Sequence, residues 1–303
     1  MRNNRFIFIL VLSLIGLVLR YYNDAHLFER LKKDIFGTSQ TESTRTEERN
    51  EQNPSEEYDS EASDTQTDQE DTSLGSLDCY LPAYTSDDQI LRHDAYTLNY
   101  LPDYGEAAWV VHFVLNKTGK ARRADSFQPD PLLKGQQVLP TDYSNSGYDR
   151  GHMAPAGDFN YDQNLKNQTF YMTNMSPQVH DLNIGFWNDI ENKVRSWAKK
   201  RGDLVVVTGP QLKKGLPTIG RKTQVAVPEY YFKIVYDPQT QQAIAFWVPN
   251  QNIVEARLQD YTTSIQDVET KTGITFFAKL PRNVQTDIKT QHDVTTWFRR
   301  SRK

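Results

Sequence analysis

Residues 148–159, YDRGHMAPAGDF, place four chemically distinct residues side by side: Asp149, Arg150, Gly151 and His152. A guanidinium is a planar, permanently charged fork that matches a phosphate. An imidazole is the side chain best suited to moving a proton near neutral pH. The glycine between them lets the backbone approach a ligand or turn sharply. Downstream stand Asn174, Asn183 and Glu191, oxygen-bearing side chains able to hold or orient a hard cation. Phosphate clamp, proton acceptor and cation ligand are the parts that hydrolysis of a phosphodiester requires.

Around this stretch the chain reads as a mixture of strands and helices. Residues 107–115, AAWVVHFVL, are rich in Val and aromatics and predict a strand, with His112 packed inside it. Asn116 to Lys120 is turn chemistry, and Arg122 and Arg123 then open a second strand or its edge. Residues 136–147 read as a loop, and residues 168–175 as extended. Residues 183–200 predict an amphipathic helix, because Phe186, Ile190, Val194 and Trp197 recur at three- and four-residue steps. LVVVT at 204–208 predicts a buried strand. Residues 230–236 and 243–248 predict a hairpin around Asp237-Pro238, and residues 253–270 a helix. Strands outnumber helices without regular alternation, so the expected class is α+β with a mainly antiparallel central sheet.

The ends of the chain differ in composition. Residues 42–71 hold twelve Asp or Glu and two Arg, a net charge of −10, whereas the whole chain carries −4. The first forty residues sum to +3, which leaves about +3 from residue 72 onward. The acidic sequence pI of 5.9 therefore hides a mildly basic folded part, which permits a polyanionic partner. From residue 36 to 77 Thr, Ser, Glu, Gln and Asp dominate, too few apolar groups to offset the entropy of ordering, and residues 23–77 are expected to form an acidic disordered linker. At the start, Arg2 and Arg5 precede a 14-residue apolar run at 6–19. That run is shorter than the roughly 20 residues of a spanning helix and closer to a signal-peptide core. No small-x-small site follows, and Tyr21 and Tyr22 suit a membrane interface. Residues 1–22 are thus expected to be an uncleaved signal anchor. The catalytic domain at 78–303 would then be exported and membrane-anchored outside the cytoplasm, or secreted if the segment is cleaved. Cys79, the single cysteine, rules out an internal disulfide and a Cys-rich zinc framework. The six histidines contain no H-x-x-x-H pair, which argues against a zinc hydrolase.

DRGHMAPAGDF, then FYMTNMSPQ at 170–178, then DLNIGFWNDIE at 181–191, resemble the DNA/RNA non-specific endonuclease family, which includes mitochondrial endonuclease G and secreted bacterial nucleases. The resemblance covers roughly residues 81–279. It implies a ββα-metal active-site motif and a Mg²⁺-dependent hydrolase, with Mn²⁺ as a substitute, that cuts DNA and RNA to 5′-phosphate products. Partners would be DNA and RNA, held by the phosphate backbone. In that scheme His152 is the general base and Asn183 the only direct protein ligand of the ion. Glu191, eight residues on and near the same helix face, accepts hydrogen bonds from metal-bound water. Arg150 binds phosphate, Asn174 holds the phosphate or orients the base, and Asp149 and Gly151 support them. Arg123, or its neighbour Arg122, stabilises transition-state charge. Ile184 and Phe186 stand where the family often has Gln and Ala and are expected to be packing variants. A non-catalytic nucleic-acid receptor built on the same fold is the rival from another class, and loss of the histidine or the metal asparagine would have been its signature. No base-reading helix is visible. Lys199-Lys200-Arg201, Lys213-Lys214 and Arg221-Lys222 suit backbone contacts, so little base specificity is expected.

Overall fold

The computed structural model of the chain describes residues 75–124 and 126–299. The anchor expected at 1–22, and all but the last three residues of the linker expected at 23–77, lie outside the described residues. Among the described residues are eleven strands: β1 (Gln89–Arg92), β2 (Thr97–Leu101), β3 (Glu106–Val114), β4 (Asp149–His152), β5 (Met175–Gln178), β6 (Leu204–Pro210), β7 (Thr218–Ile219), β8 (Val225–Ala226), β9 (Tyr230–Asp237), β10 (Gln242–Pro249) and β11 (Thr262–Thr263). The α-helices among the described residues are α1 (Gln163–Gln168), α2 (Asn188–Arg201), α3 (Ile265–Thr272), α4 (Arg282–Thr290) and α5 (Val294–Phe298). Seven strands form the central sheet in the order β1-β2-β3-β6-β9-β10-β11. Every neighbouring pair in it is antiparallel, as the α+β reading requires. β4 pairs with β5 and β7 with β8, each as a separate two-stranded sheet.

Both faces of the central sheet are covered, so its middle strands read as continuous apolar runs rather than alternating ones. The alternation survives in what each residue touches. In β6, Leu204 and Val206 join the core under α2, with Trp187, Ile190, Val194 and Trp197. Val205 and Val207 join the core on the other face, with Phe232, Phe276, Phe277 and residues of α3 and α4. β3 keeps the same alternation past a bulge. Asn99 pairs with Trp109 and Tyr100 with Ala107, which leaves Ala108 as the extra residue. The turn between β9 and β10 is built by Asp237, whose Oδ1 accepts from the backbone N–H of Gln239 (3.0 Å) and Thr240 (3.3 Å).

Helix α2 is entered through a π-type turn, Leu182–Trp187, in which Gly185 has φ −100 and ψ −107. Such turns are frequent at functional sites. The helix ends where Gly202, at φ 97, donates its N–H to the Ala198 carbonyl.

Three elements differ from the sequence reading. Arg122 and Arg123 lie on irregular backbone, because Gln163 takes the place of a neighbouring strand. Its Oε1 accepts from Arg122 N (2.8 Å) and its Nε2 donates to Arg122 O (2.9 Å). Residues 168–175 are extended only briefly, beside Gln128. They follow α1, which Asp162 caps by accepting from Asn164 N and Leu165 N. The helix expected over 253–270 begins only at Ile265, where Ser264 caps it by accepting from Asp267 N (3.1 Å).

Candidate active site

The DRGH residues form β4, and their antiparallel partner is Met175 to Gln178 of β5. With α2 this makes a two-strand-and-helix unit, and β4 and α2 both line an open cleft of about 490 Å³. Arg123, Arg150, His152, Asn183 and Glu191 all line it, five of the residues singled out from sequence. Of the two neighbouring arginines Arg123 lines it and Arg122 does not.

His152 stacks edge-on against Phe170 at 5.0 Å and tilts against Phe127 at 5.7 Å. Burial, and secondly the positive charge of Arg123, depress its pKa to about 3. The imidazole is therefore neutral at pH 7, and an unprotonated ring nitrogen is what a proton acceptor needs. Arg150 is not tied to Asp149. Its Nη2 donates to the Pro140 carbonyl (2.7 Å), and its guanidinium lies over the rings of Phe127 and Tyr143. That aromatic bracket fixes the direction of the fork while leaving its charge at the cleft.

Asp149 serves Asn183. Its Oδ2 accepts from Asn183 Nδ2 (2.9 Å) and is bonded to His180 Nδ1 (2.8 Å). With the amide nitrogen held there, the Asn183 Oδ1 lone pairs point elsewhere, as a cation ligand requires. Among the described residues no three His, Cys, Asp or Glu gather closely enough to hold a metal, so an ion here would keep most of its water.

Two expectations can be narrowed. Asn174 is fully buried and its amide is spent on backbone. Oδ1 accepts from Ala154 N (2.9 Å), and Nδ2 donates to Ala154 O (2.9 Å) and Thr169 O (2.8 Å). Of the two expected roles, holding the phosphate or orienting the base, its bonds fit the second: it fixes the chain two residues beyond His152. Gly151 packs against the Gln178 side chain. A Cβ there would lie 2.1 Å from Gln178 Oε1 and 2.3 Å from its Cδ. Ile184 is also no packing variant, since it is 58% exposed at the cleft. Phe186 is buried, with its ring 4.7 Å from Tyr261.

Sequence reasoning missed the charged floor of the cleft. His112, expected only to pack, bonds through Nε2 to Asp158 Oδ2 (3.0 Å). Asp158 Oδ1 accepts from Arg195 Nη1 (2.7 Å), which lies 3.9 Å from Glu191 Oε2. Beneath α2, Lys233 is 1% exposed and donates to Thr208 Oγ1 (2.7 Å), with Nζ 4.8 Å from the Trp187 ring centroid. Burial raises the Glu191 pKa and lowers that of Lys233, and their mutual attraction opposes both shifts. A signal was present: His112 and Lys233 are lone polar residues inside the apolar runs of β3 and β9, at positions facing α2.

The sequence profile of the DNA/RNA non-specific endonucleases matches residues 80–283, and the chain belongs to that family. A nuclease of Nostoc sp. is 33% identical over 224 residues, which cover 69% of this chain and 80% of that protein. The mitochondrial nuclease EXOG of Danio rerio is 33% identical over 214 residues, covering 64% of this chain; the chain spans only 62% of that protein's length. Among solved structures, a chain from the EndoG/EndoGI complex, described as showing the mechanism of EndoG inhibition, superposes with a TM-score of 0.61 at 29% identity. That match covers 68% of this chain and 91% of the other. The shared fold is the ββα-metal nuclease fold.

These relatives correct the expected location. The zebrafish protein is a mitochondrial nuclease, and among the described residues no helix is long and apolar enough to cross a membrane. The exported, membrane-anchored placement inferred from residues 1–22 is withdrawn.

Proposed function

We propose that this chain, through a domain carried by residues 78–303, is a Mg²⁺-dependent endonuclease that cuts DNA and RNA without base preference and leaves 5′-phosphate ends. One observation carries the reading: a neutral His152 shares a cleft with an Asn183 whose amide nitrogen is anchored by Asp149. Asn183 Oδ1 would hold the ion, and Glu191 would hold its hydration shell. When bound, a divalent ion supplies Lewis-acid stabilisation of the charge that builds on the phosphate and leaving oxygens.

The chain's own residues supply the rest. His152 takes a proton from the attacking water, and its depressed pKa keeps it unprotonated for that step. Arg150, aimed by its aromatic bracket and by Pro140, binds a phosphate oxygen. Arg123 adds positive charge beside His152 and the phosphate. Asn174 keeps the backbone after His152 in place by spending its amide on Ala154 and Thr169. The test is plasmid nicking by the purified chain with Mg²⁺ and then with EDTA, with matched RNA substrates and sequencing of the product ends. A sharp consensus at the cut sites, 3′-phosphate products or undiminished cutting in EDTA would overturn it.

A further inference from the structure

The strand paired with the DRGH residues is held to the central sheet by a line of buried oxygens. Glu106, the first residue of β3, is fully buried. Its Oε2 meets the hydroxyl of Ser176, which stands opposite Gly151 in the pairing of β5 with β4. Ser176 Oγ lies 2.8 Å from Tyr231 Oη, on β9. Tyr231 Oη in turn donates to the Pro177 carbonyl (2.8 Å), and Pro177 stands opposite Arg150. Asn250 Nδ2 donates to the same carbonyl (3.0 Å), while its Oδ1 accepts from Val179 N (2.9 Å).

The protons on that line can be counted. A carbonyl only accepts, so the Tyr231 proton lies toward Pro177. The contact between Ser176 and Tyr231 must then use the serine proton. A hydroxyl has one proton, so the contact between Ser176 and Glu106 needs another, and only the carboxyl can supply it. An ionised Glu106 would set two oxygens against each other with no proton between them.

The surroundings of Glu106 agree with a neutral acid. Burial pushes its carboxyl well above the ordinary range, and no cation is among the groups that act on it. The ionisable groups that face it are the phenols of Tyr100, Tyr143 and Tyr231, which burial also pushes up. Among the described residues its second oxygen, Oε1, is buried without a hydrogen-bond partner. Leaving that atom unpaired costs a neutral acid less than it would a carboxylate.

We propose that Glu106 is a positioning residue of the nuclease site: as a neutral acid it donates to Ser176 and, through Ser176 and Tyr231, fixes β5 where it holds Arg150 and His152 at the cleft. The role in cutting rests on the nuclease reading above; the protonation and the grip on the hairpin do not. The line of donors runs one way. Gln can replace Glu106, because an amide N–H also donates, whereas an ionised or apolar side chain cannot.

Melting, hydrogen exchange and kinetics of the full chain test the proposal separately. The folded pKa of Glu106 lies above its ordinary 4.5, so the native chain keeps a proton that the unfolded chain releases. The stability this contributes is fully present below pH 4.5 and is lost as the pH rises toward the raised value. Wild type should therefore lose melting temperature relative to Glu106→Gln as the pH climbs. Amide exchange over 149–152 and 175–178 should quicken in Glu106→Leu and in Tyr231→Phe, and stay at the wild-type rate in Glu106→Gln. In cleavage, Glu106→Leu should lower kcat roughly tenfold, since a reacting group misplaced by about 1 Å can cost up to ~10²-fold. KM should move less, because Arg150 keeps its bracket of Pro140, Phe127 and Tyr143. Glu106→Gln should cut near the wild-type rate. A melting difference that stays flat with pH overturns the proposal. So does unchanged exchange in Tyr231→Phe, or a Glu106→Gln variant that loses as much rate as Glu106→Leu. If wild type cuts nothing with Mg²⁺ while melting and exchange behave as described, the grip on the hairpin stands and the nuclease reading falls.

Discussion

The two faces of the central sheet are made by the same strands and packed in opposite ways. On the face covered by α3 and α4, Trp109, Val111, Phe232, Ile234, Phe276 and Phe277 form an apolar layer. On the face covered by α2, the alternate positions of those strands include His112, Thr208 and Lys233, all buried. One face stabilises by removing apolar area from water. The other accepts the desolvation of charges, a cost that ion pairs seldom recover in full. The cleft lies over the costly face. His112, Asp158 and Lys233 are three buried ionisable groups gathered about Glu191 and Arg195, while the opposite layer is apolar.

The largest effect should come from the charged side. His152→Ala should lose roughly 10²–10⁴ in cleavage rate, the usual worth of a positioned base, with thermal unfolding near wild type; a cleavage time course and a melting curve check both. Asn183→Ala should fall comparably but recover part of its rate as Mg²⁺ or Mn²⁺ is raised. Unaltered cutting by His152→Ala would end the general-base assignment. The apolar face should respond the other way. Phe276→Ala, which leaves a hole against Phe232, should cost about 3–5 kcal/mol in denaturant unfolding and leave the Mg²⁺ concentration for half-maximal rate unchanged. A shift in that concentration would mean the two faces are not separable.

Lys233→Met is a smaller and sharper probe. Met matches Lys in length, but removing one partner of a buried charge pair leaves the other uncompensated, so the variant should also lose stability. The rate should fall roughly tenfold, about 1.4 kcal/mol. Removing a cation lifts the Glu191 pKa further, so the acidic limb of the pH–rate profile should move to higher pH. A variant that loses stability but keeps the wild-type profile would make Lys233 merely structural.

The last effect is in the pH dependence of stability. His152 has a folded pKa of about 3, against 6.5 for the ordinary imidazole. The unfolded chain takes up the proton first, so stability present above pH 6.5 is lost as the pH falls toward 3. The melting temperature of wild type relative to His152→Ala should therefore decline across that window. A difference that stays flat would show His152 to be less enclosed than described here.

How much of this was legible in the sequence follows from what each residue depends on. The order DRGH, Asn183, Glu191 could be read because β4 and α2 are local elements and their residues face one cleft. LVVVT could be read as a buried strand because being covered on both faces removes the polar positions. Which of its two expected roles Asn174 takes could not be read. Its amide is consumed by Ala154, twenty residues earlier in the chain, through the pairing of β4 with β5. Lys233 and His112 were visible as polar interruptions, but which face of the sheet they met depended on the position of α2. The missed start of α3 was local: Ser264 followed three residues later by Asp267 is a cap signal, masked by apolar residues upstream that suggested a longer helix.

The contact between Gly151 and Gln178 has a consequence for how the gene can change. Any side chain at 151 collides with the glutamine as it stands, and a smaller residue at 178 leaves a void beside the strand that carries His152. A substitution at 151 has to follow one at 178. Among descendants of this sequence the two positions should be inherited as a pair, and an Ala at 151 should be found only where 178 has already become small.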